Sequence, residues 1–122
     1  MKKFLATTFI LVILFSCSND DNTGNANDPI LGKWFLFSNN ALEASDCEKR
    51  SFIEFKSDGS TVSETYQEIN TSCTNTISGN DKWENKGEGL YSFNNIESQI
   101  QFLDDNMTMR VSSGNIVYKK EQ

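Results

Sequence analysis

The chain has 122 residues, with 17 acidic against 11 basic side chains, a formal net charge of −6 and no histidine. That balance disfavours nucleic acid and anionic membrane surfaces as partners, since their phosphates would meet like charge. With no histidine and 3 cysteines, the chain also lacks the usual ligand set of a structural zinc site and the commonest acid–base residue of enzymes.

The first element in chain order is an address. Lys2 and Lys3 precede a largely apolar stretch, Phe4 to Phe15, that ends in Leu14-Phe15-Ser16-Cys17. The stretch falls short of the roughly 20 apolar residues that cross a bilayer as a helix, and has the length of a signal-peptide core. It resembles a bacterial lipoprotein signal. The resemblance implies that residues 1–16 are removed and that Cys17 carries a diacylglycerol and an acylated amine. Two or three acyl chains at ~0.8 kcal/mol per buried methylene hold a protein durably on a membrane. Removal of residues 1–16 takes away Lys2 and Lys3 and no acid, leaving 9 basic against 17 acidic residues, a formal charge of −8.

Residues 17–29 contain no large apolar side chain. Such a run cannot offset its ordering entropy, so it is expected to be a disordered tether. Ser18, Asn19, Asp20 and Asp21 stand where some Gram-negative bacteria place the signal that sends lipoproteins to the outer face of the outer membrane. Solvated linker charge is the alternative reading of the acidic pair. The Asp and Asn spacing lacks the closing bidentate Glu of a calcium loop, and neither a metal nor a cofactor is expected.

Pro29, the single proline, marks the boundary of a domain over residues 30–122. Short alternating strands separated by turn residues follow, with no helical stripe. The predicted strands are Lys33–Ser38, Ser51–Lys56, Ser60–Gln67, Asp81–Asn85, Gly89–Phe93, Gln99–Leu103, Met107–Val111 and Asn115–Lys119. Ser57-Asp58-Gly59, Asp104-Asp105-Asn106 and Ser112-Ser113-Gly114 carry the chemistry of tight turns. Cys47 and Cys73 are the cysteines left once Cys17 is lipidated, and the lipoprotein route leads to an oxidising compartment. They are predicted to pair at the open end of a hairpin that turns near Asp58-Gly59. About ninety residues is a small domain, for which such a staple matters.

A wider resemblance rests on Gly32-Lys33-Trp34, on Phe52-Ile53-Glu54-Phe55-Lys56-Ser57-Asp58-Gly59-Ser60, on Cys73 followed by Gly79 and Trp83, and on the ending Val117-Tyr118-Lys119-Lys120. This pattern resembles the small lipocalin-like lipoproteins of bacterial envelopes. The resemblance implies an all-β fold, a small eight-stranded antiparallel up-and-down barrel. In lipocalins the Gly-x-Trp tryptophan plugs the closed end beneath a basic side chain from near the last strand, a role that falls to Trp34 with Lys119 or Lys120. Trp34 as plain core is the simpler reading.

Alternation places Trp34 and Leu36, Ile53 and Phe55, and Met107, Met109 and Val111 on inward faces. Any cavity is then expected toward the other rim, beside smaller or polar residues. Val62, Glu64 and Tyr66 share one face, so an inward Val62 would bring Glu64 into the barrel, where a carboxylate needs a partner. Glu64, Tyr66, Trp83 and Phe102 are the candidate ligand contacts, and a twist or bulge that returns Glu64 to water is the competing reading. Trp83, Tyr91, Phe93 and Phe102 serve equally as filling. No pair of carboxylates is tied by spacing and no nucleophile motif is present, so no enzyme is expected. The expected protein is a monomer, lipid-anchored at the bacterial outer membrane and exposed on the cell surface. It either binds a small hydrophobic ligand or serves as an interaction domain with a filled barrel.

Overall fold

The computed structural model describes residues 26–122. The segment 1–16 expected to be a signal, Cys17 and the Ser18–Asp21 segment expected to direct export lie outside the described residues. The strands are β1 (Gly32–Asn39), β2 (Leu42–Glu43), β3 (Phe52–Phe55), β4 (Ser60–Ile69), β5 (Ser72–Gly87), β6 (Leu90–Phe93), β7 (Ile96–Leu103), β8 (Thr108–Val111) and β9 (Ile116–Lys120). A turn of 3-10 helix stands at Glu48–Arg50. Neighbouring strands pair antiparallel in the order β1-β3-β4-β5-β6-β7-β8-β9, and β9 returns to β1 with Trp34 opposite Lys120 and Asn39 opposite Ile116. The fold is a closed eight-stranded antiparallel up-and-down barrel, the architecture expected from sequence. β2 is a small addition folded back on the end of β1.

Turn chemistry explains the hairpins. Asn40-Ala41, Asn70-Thr71, Glu88-Gly89 and Asn94-Asn95 all take positive φ at both positions, the geometry whose twist matches that of paired strands. At the predicted Asp58-Gly59 turn, Gly59 has a φ of 86° and Asp58 Oδ1 accepts from the Ser60 amide at 2.9 Å and the Ser60 hydroxyl at 2.6 Å. Those two bonds hold the Asp58 carboxyl below its usual pKa.

Alternation fills one end. Ile30, Trp34, Phe55, Trp83, Tyr91, Ile100 and Met109 form the buried core, with Ile53, Phe93 and Phe102 packed against it. Phe55 meets Trp83 edge to face at 6.0 Å and Tyr91 meets Phe102 edge to face at 6.1 Å, arrangements that suit the ring quadrupole. Across the closed end lies the segment just before β1. Asp28, read from sequence as tether, is 6% exposed. Its carboxylate accepts from the Tyr91 hydroxyl at 2.8 Å, the Asn85 amide at 2.8 Å and the Ile30 backbone at 3.0 Å. Each partner replaces a water that burial removes.

The structure corrects the sequence reading in several places. The fourth predicted strand, Asp81–Asn85, is the end of a strand of 16 residues. Thr71 takes a φ of 67°, a conformation that β-branched residues seldom adopt, so the sequence carries no ordinary turn signal there. From Gln67 to Ser78 every residue is exposed: β4 and β5 leave the barrel as a two-stranded arm, wet on both faces, and alternation has nothing to mark. β7 starts at Ile96, ahead of the predicted Gln99, and Met107 belongs to the turn before β8. Cys47 and Cys73 form the expected disulfide, with Cα atoms 5.5 Å apart. Cys73 lies opposite Glu68 near the tip of the arm, one strand beyond the hairpin end where it was expected. The bond therefore ties the loop over residues 40–51 to the arm.

Candidate ligand-binding site at the open end

The turns β3–β4, β5–β6 and β7–β8 lie at the filled end. The loop over residues 40–51, the arm and the turns at 94–95 and 112–115 lie at the other. Here β1 and β9 contribute Leu36 and its neighbour Tyr118, while β3 and β4 contribute Ile53 and its neighbour Ser63. These four, with Thr65 and Ile116, line a cavity of about 320 Å³, at the small end of the roughly 300–1,000 Å³ usual for ligand pockets. On its β4 side the wall is made of the small residues Ser63 and Thr65. Ser63 stands opposite Gly79, and a Cβ at Gly79 would come within 3.1 Å of the Ser63 hydroxyl.

The lining mixes apolar Leu36, Ile53 and Ile116 with polar Asn39, Ser51, Ser63 and Thr65. Burial pushes the Tyr118 phenol above its ordinary pKa. That hydroxyl makes no hydrogen bond within the described residues, so it is available to a guest. A second depression of about 550 Å³ runs beneath the β1–β2 turn and shares Leu36 and Asn39 with the cavity. The loop that forms its roof is held by the disulfide on one side and by an ion pair between Lys49 and Glu43 on the other.

The four candidate contacts named from sequence do not share one wall. Thr61, 2% exposed, points inward opposite buried Phe55, so Val62, Glu64 and Tyr66 face outward. Glu64 borders the cavity at its rim, with its carboxylate accepting from the Tyr66 hydroxyl at 2.7 Å. That bond raises the Tyr66 pKa, and the Arg50 guanidinium lies 4.6 Å over the ring. Tyr66 thus belongs to an outer cluster beside the arm. Trp83, 1% exposed, donates its indole N–H to the Lys56 carbonyl at 2.9 Å. Phe102 packs on Trp34 and Tyr91. Both lie in the filled half.

Trp34 is fully buried, donates to the Ile30 carbonyl at 2.7 Å and lies beneath Lys120, whose ammonium is 5.0 Å from the ring. Lys119 instead bonds Thr108 at 2.7 Å and lies 5.3 Å over Phe37. No protein-family model matches the chain, and no curated protein matches it. The argument for function therefore rests on geometry. Sequence reasoning missed Leu36 and Tyr118 as cavity walls because an inward apolar residue near a barrel end reads the same whether its neighbours fill the space or leave it open. Among the described residues no group of three or more acidic or cysteine side chains is placed to hold a metal.

Proposed function

We propose that this protein is a lipid-anchored envelope binder whose barrel receives a small apolar ligand at its open end. The observation that carries the reading is the contrast between the two ends. One is packed with Trp34, Phe55, Trp83 and Tyr91, and the other keeps a cavity walled by Leu36, Ile53 and Tyr118. A ligand with a short hydrocarbon body and one acceptor group suits that lining, its chain against Leu36 and Ile53 and its acceptor toward the Tyr118 hydroxyl. In this reading the protein binds and does not catalyse.

The anchor belongs to the same proposal, carried by Leu14-Phe15-Ser16-Cys17. Asp28 is held at the filled end, so in this reading the anchored side of the barrel is the end opposite the mouth and the arm. With Ser18 to Asp21 as export signal, the mouth of an outer-membrane protein faces the surroundings of the cell. Mass spectrometry of the native N-terminal peptide tests the anchor, and an unmodified Cys17 ends that part of the reading.

Calorimetric titration of the chain from Ser18 onward with medium-chain fatty acids tests the ligand. The expected result is saturable binding that Ser63→Trp abolishes by filling the cavity and that Tyr118→Phe weakens. Absence of binding, or binding unchanged by Ser63→Trp, overturns the cup. A barrel acting purely as an interaction domain is the second reading, and the projecting arm favours it.

A further inference from the structure

The two edges of the arm are unlike each other. On the β4 side the loop closes in, with the Tyr66 amide donating to Ser51 Oγ at 2.8 Å, and Cys47 of the loop reaches past β4 to Cys73 near the start of β5. On the other side, β5 pairs with β6 only from Trp83 onward. From Ser72 to Asp81 its one strand partner among the described residues is β4. Alternate residues of this stretch therefore turn backbone N–H and C=O groups to open solvent.

Soluble proteins blunt such edges with charge, proline, bulges or cover. This edge has one bulge, where Thr76 stands out of register between the Thr65–Ile77 and Tyr66–Asn75 pairs. It has no proline, and no charged side chain from Ser72 to Asn80, in a chain that carries 28 charged residues. The inner face of the arm also shows bare hydrocarbon. Ile69 is 46% and Ile77 63% exposed, and both share the face of buried Thr61 by the alternation of β4 and its pairing.

We propose that this edge pairs with β5 of a second copy, antiparallel about a two-fold axis, in place of the monomer expected from sequence. A second copy is the partner that the surface itself describes. It supplies a strand of the same length and the same lack of charge, so two strongly acidic molecules approach where neither presents a carboxylate. An axis perpendicular to the ribbon keeps the inner faces on one side, and the isoleucines of both copies then cover a common face. Two two-stranded ribbons, marginal alone, become a four-stranded sheet. The barrels lie at opposite ends with their mouths toward each other.

In the register centred between Thr76 and Ile77, Asn75 of one copy lies opposite Ser78 of the other. Sedimentation of the chain from Ser18 onward, from micromolar to millimolar concentration, should show a monomer–dimer equilibrium. The double change Asn75→Lys with Ser78→Lys sets like charges opposite each other and should weaken pairing about tenfold or more. The positions are exposed, and the change trades the Asn75–Ser78 side-chain hydrogen bond for a lysine opposite Glu64 of its own chain, so the melting temperature of the variant at the lowest concentration should lie within a few degrees of the parent's. Mixing the lysine variant with its Asn75→Glu, Ser78→Glu counterpart should restore association, with slowed hydrogen exchange from Ser72 to Asn80. A parent that stays monomeric throughout, a dimer indifferent to the lysines, or a failure of the oppositely charged variants to pair overturns the proposal.

Discussion

Tyr91 donates its hydroxyl to Asp28 Oδ1 at 2.8 Å, joining the segment before the first strand to the middle of the barrel across 63 positions of sequence. The bond is buried, so neither group has water to fall back on. Tyr91→Phe should lower stability by ~1–3 kcal/mol, the usual cost of a buried polar group left short of a partner. Asp28→Ala should cost at least as much, because it strands the Asn85 amide as well. Urea unfolding with an unchanged slope checks both, and a loss below about 0.5 kcal/mol would show the contact to be incidental.

The same phenol fixes an alkaline limit. Burial first, then the hydrogen bond and charge of Asp28, push the Tyr91 pKa upward, and burial alone raises that of Tyr118. A raised folded-state value means that the protonated phenol stabilises the fold below the unfolded pKa of about 10, and that this contribution is lost as pH climbs past it. Stability should therefore be flat with respect to these two groups at neutral pH and decline in the alkaline range. Tyr91→Phe should make that decline shallower. An identical slope in the variant would remove Tyr91 from the account.

At the closed end, Trp34 and Lys120 test plug against plain core. Trp34→Ala should cost about 3–5 kcal/mol, as for other large buried aromatics. Lys120→Met keeps most of the aliphatic cover but removes the charge 5.0 Å from the ring, and should cost ~0.5–2 kcal/mol. Comparable losses from the two changes would mean that the ammonium matters far more than its geometry suggests.

The disulfide closes a loop with a sequence separation of 26, for which the chain-entropy model gives ~3.5 kcal/mol. Cys47→Ser with Cys73→Ser should lower global stability by about that amount. Hydrogen exchange should rise most from Gln67 to Ser78, where the arm has no other covalent tie. Uniform acceleration across the barrel, with none concentrated in the arm, would count against the staple acting locally.

How much of this was legible in the chain depends on where water lies. Alternation is written into a sequence only where one face of a strand is dry and the other wet, so Trp34, Phe55 and Met109 were readable as inward and the barrel followed from their spacing and from the turns at Asp58-Gly59 and Asp104 to Asn106. The Cys47–Cys73 pair followed from parity and compartment. The arm was not readable, since a ribbon wet on both faces leaves no period and Thr71 is an unusual turn residue. Nor was the facing of β4: its inward side carries Thr61, Ser63 and Thr65, its outward side Val62, Glu64 and Tyr66, so apolar size pointed the wrong way. Only tertiary structure decides that small polar residues line the open end while Tyr66 and Glu64 satisfy each other outside. Asp28 makes the same point from the other end. A carboxylate in an Asn-rich run looks like solvent until Tyr91 and Asn85, brought near by barrel closure, take the place of that solvent.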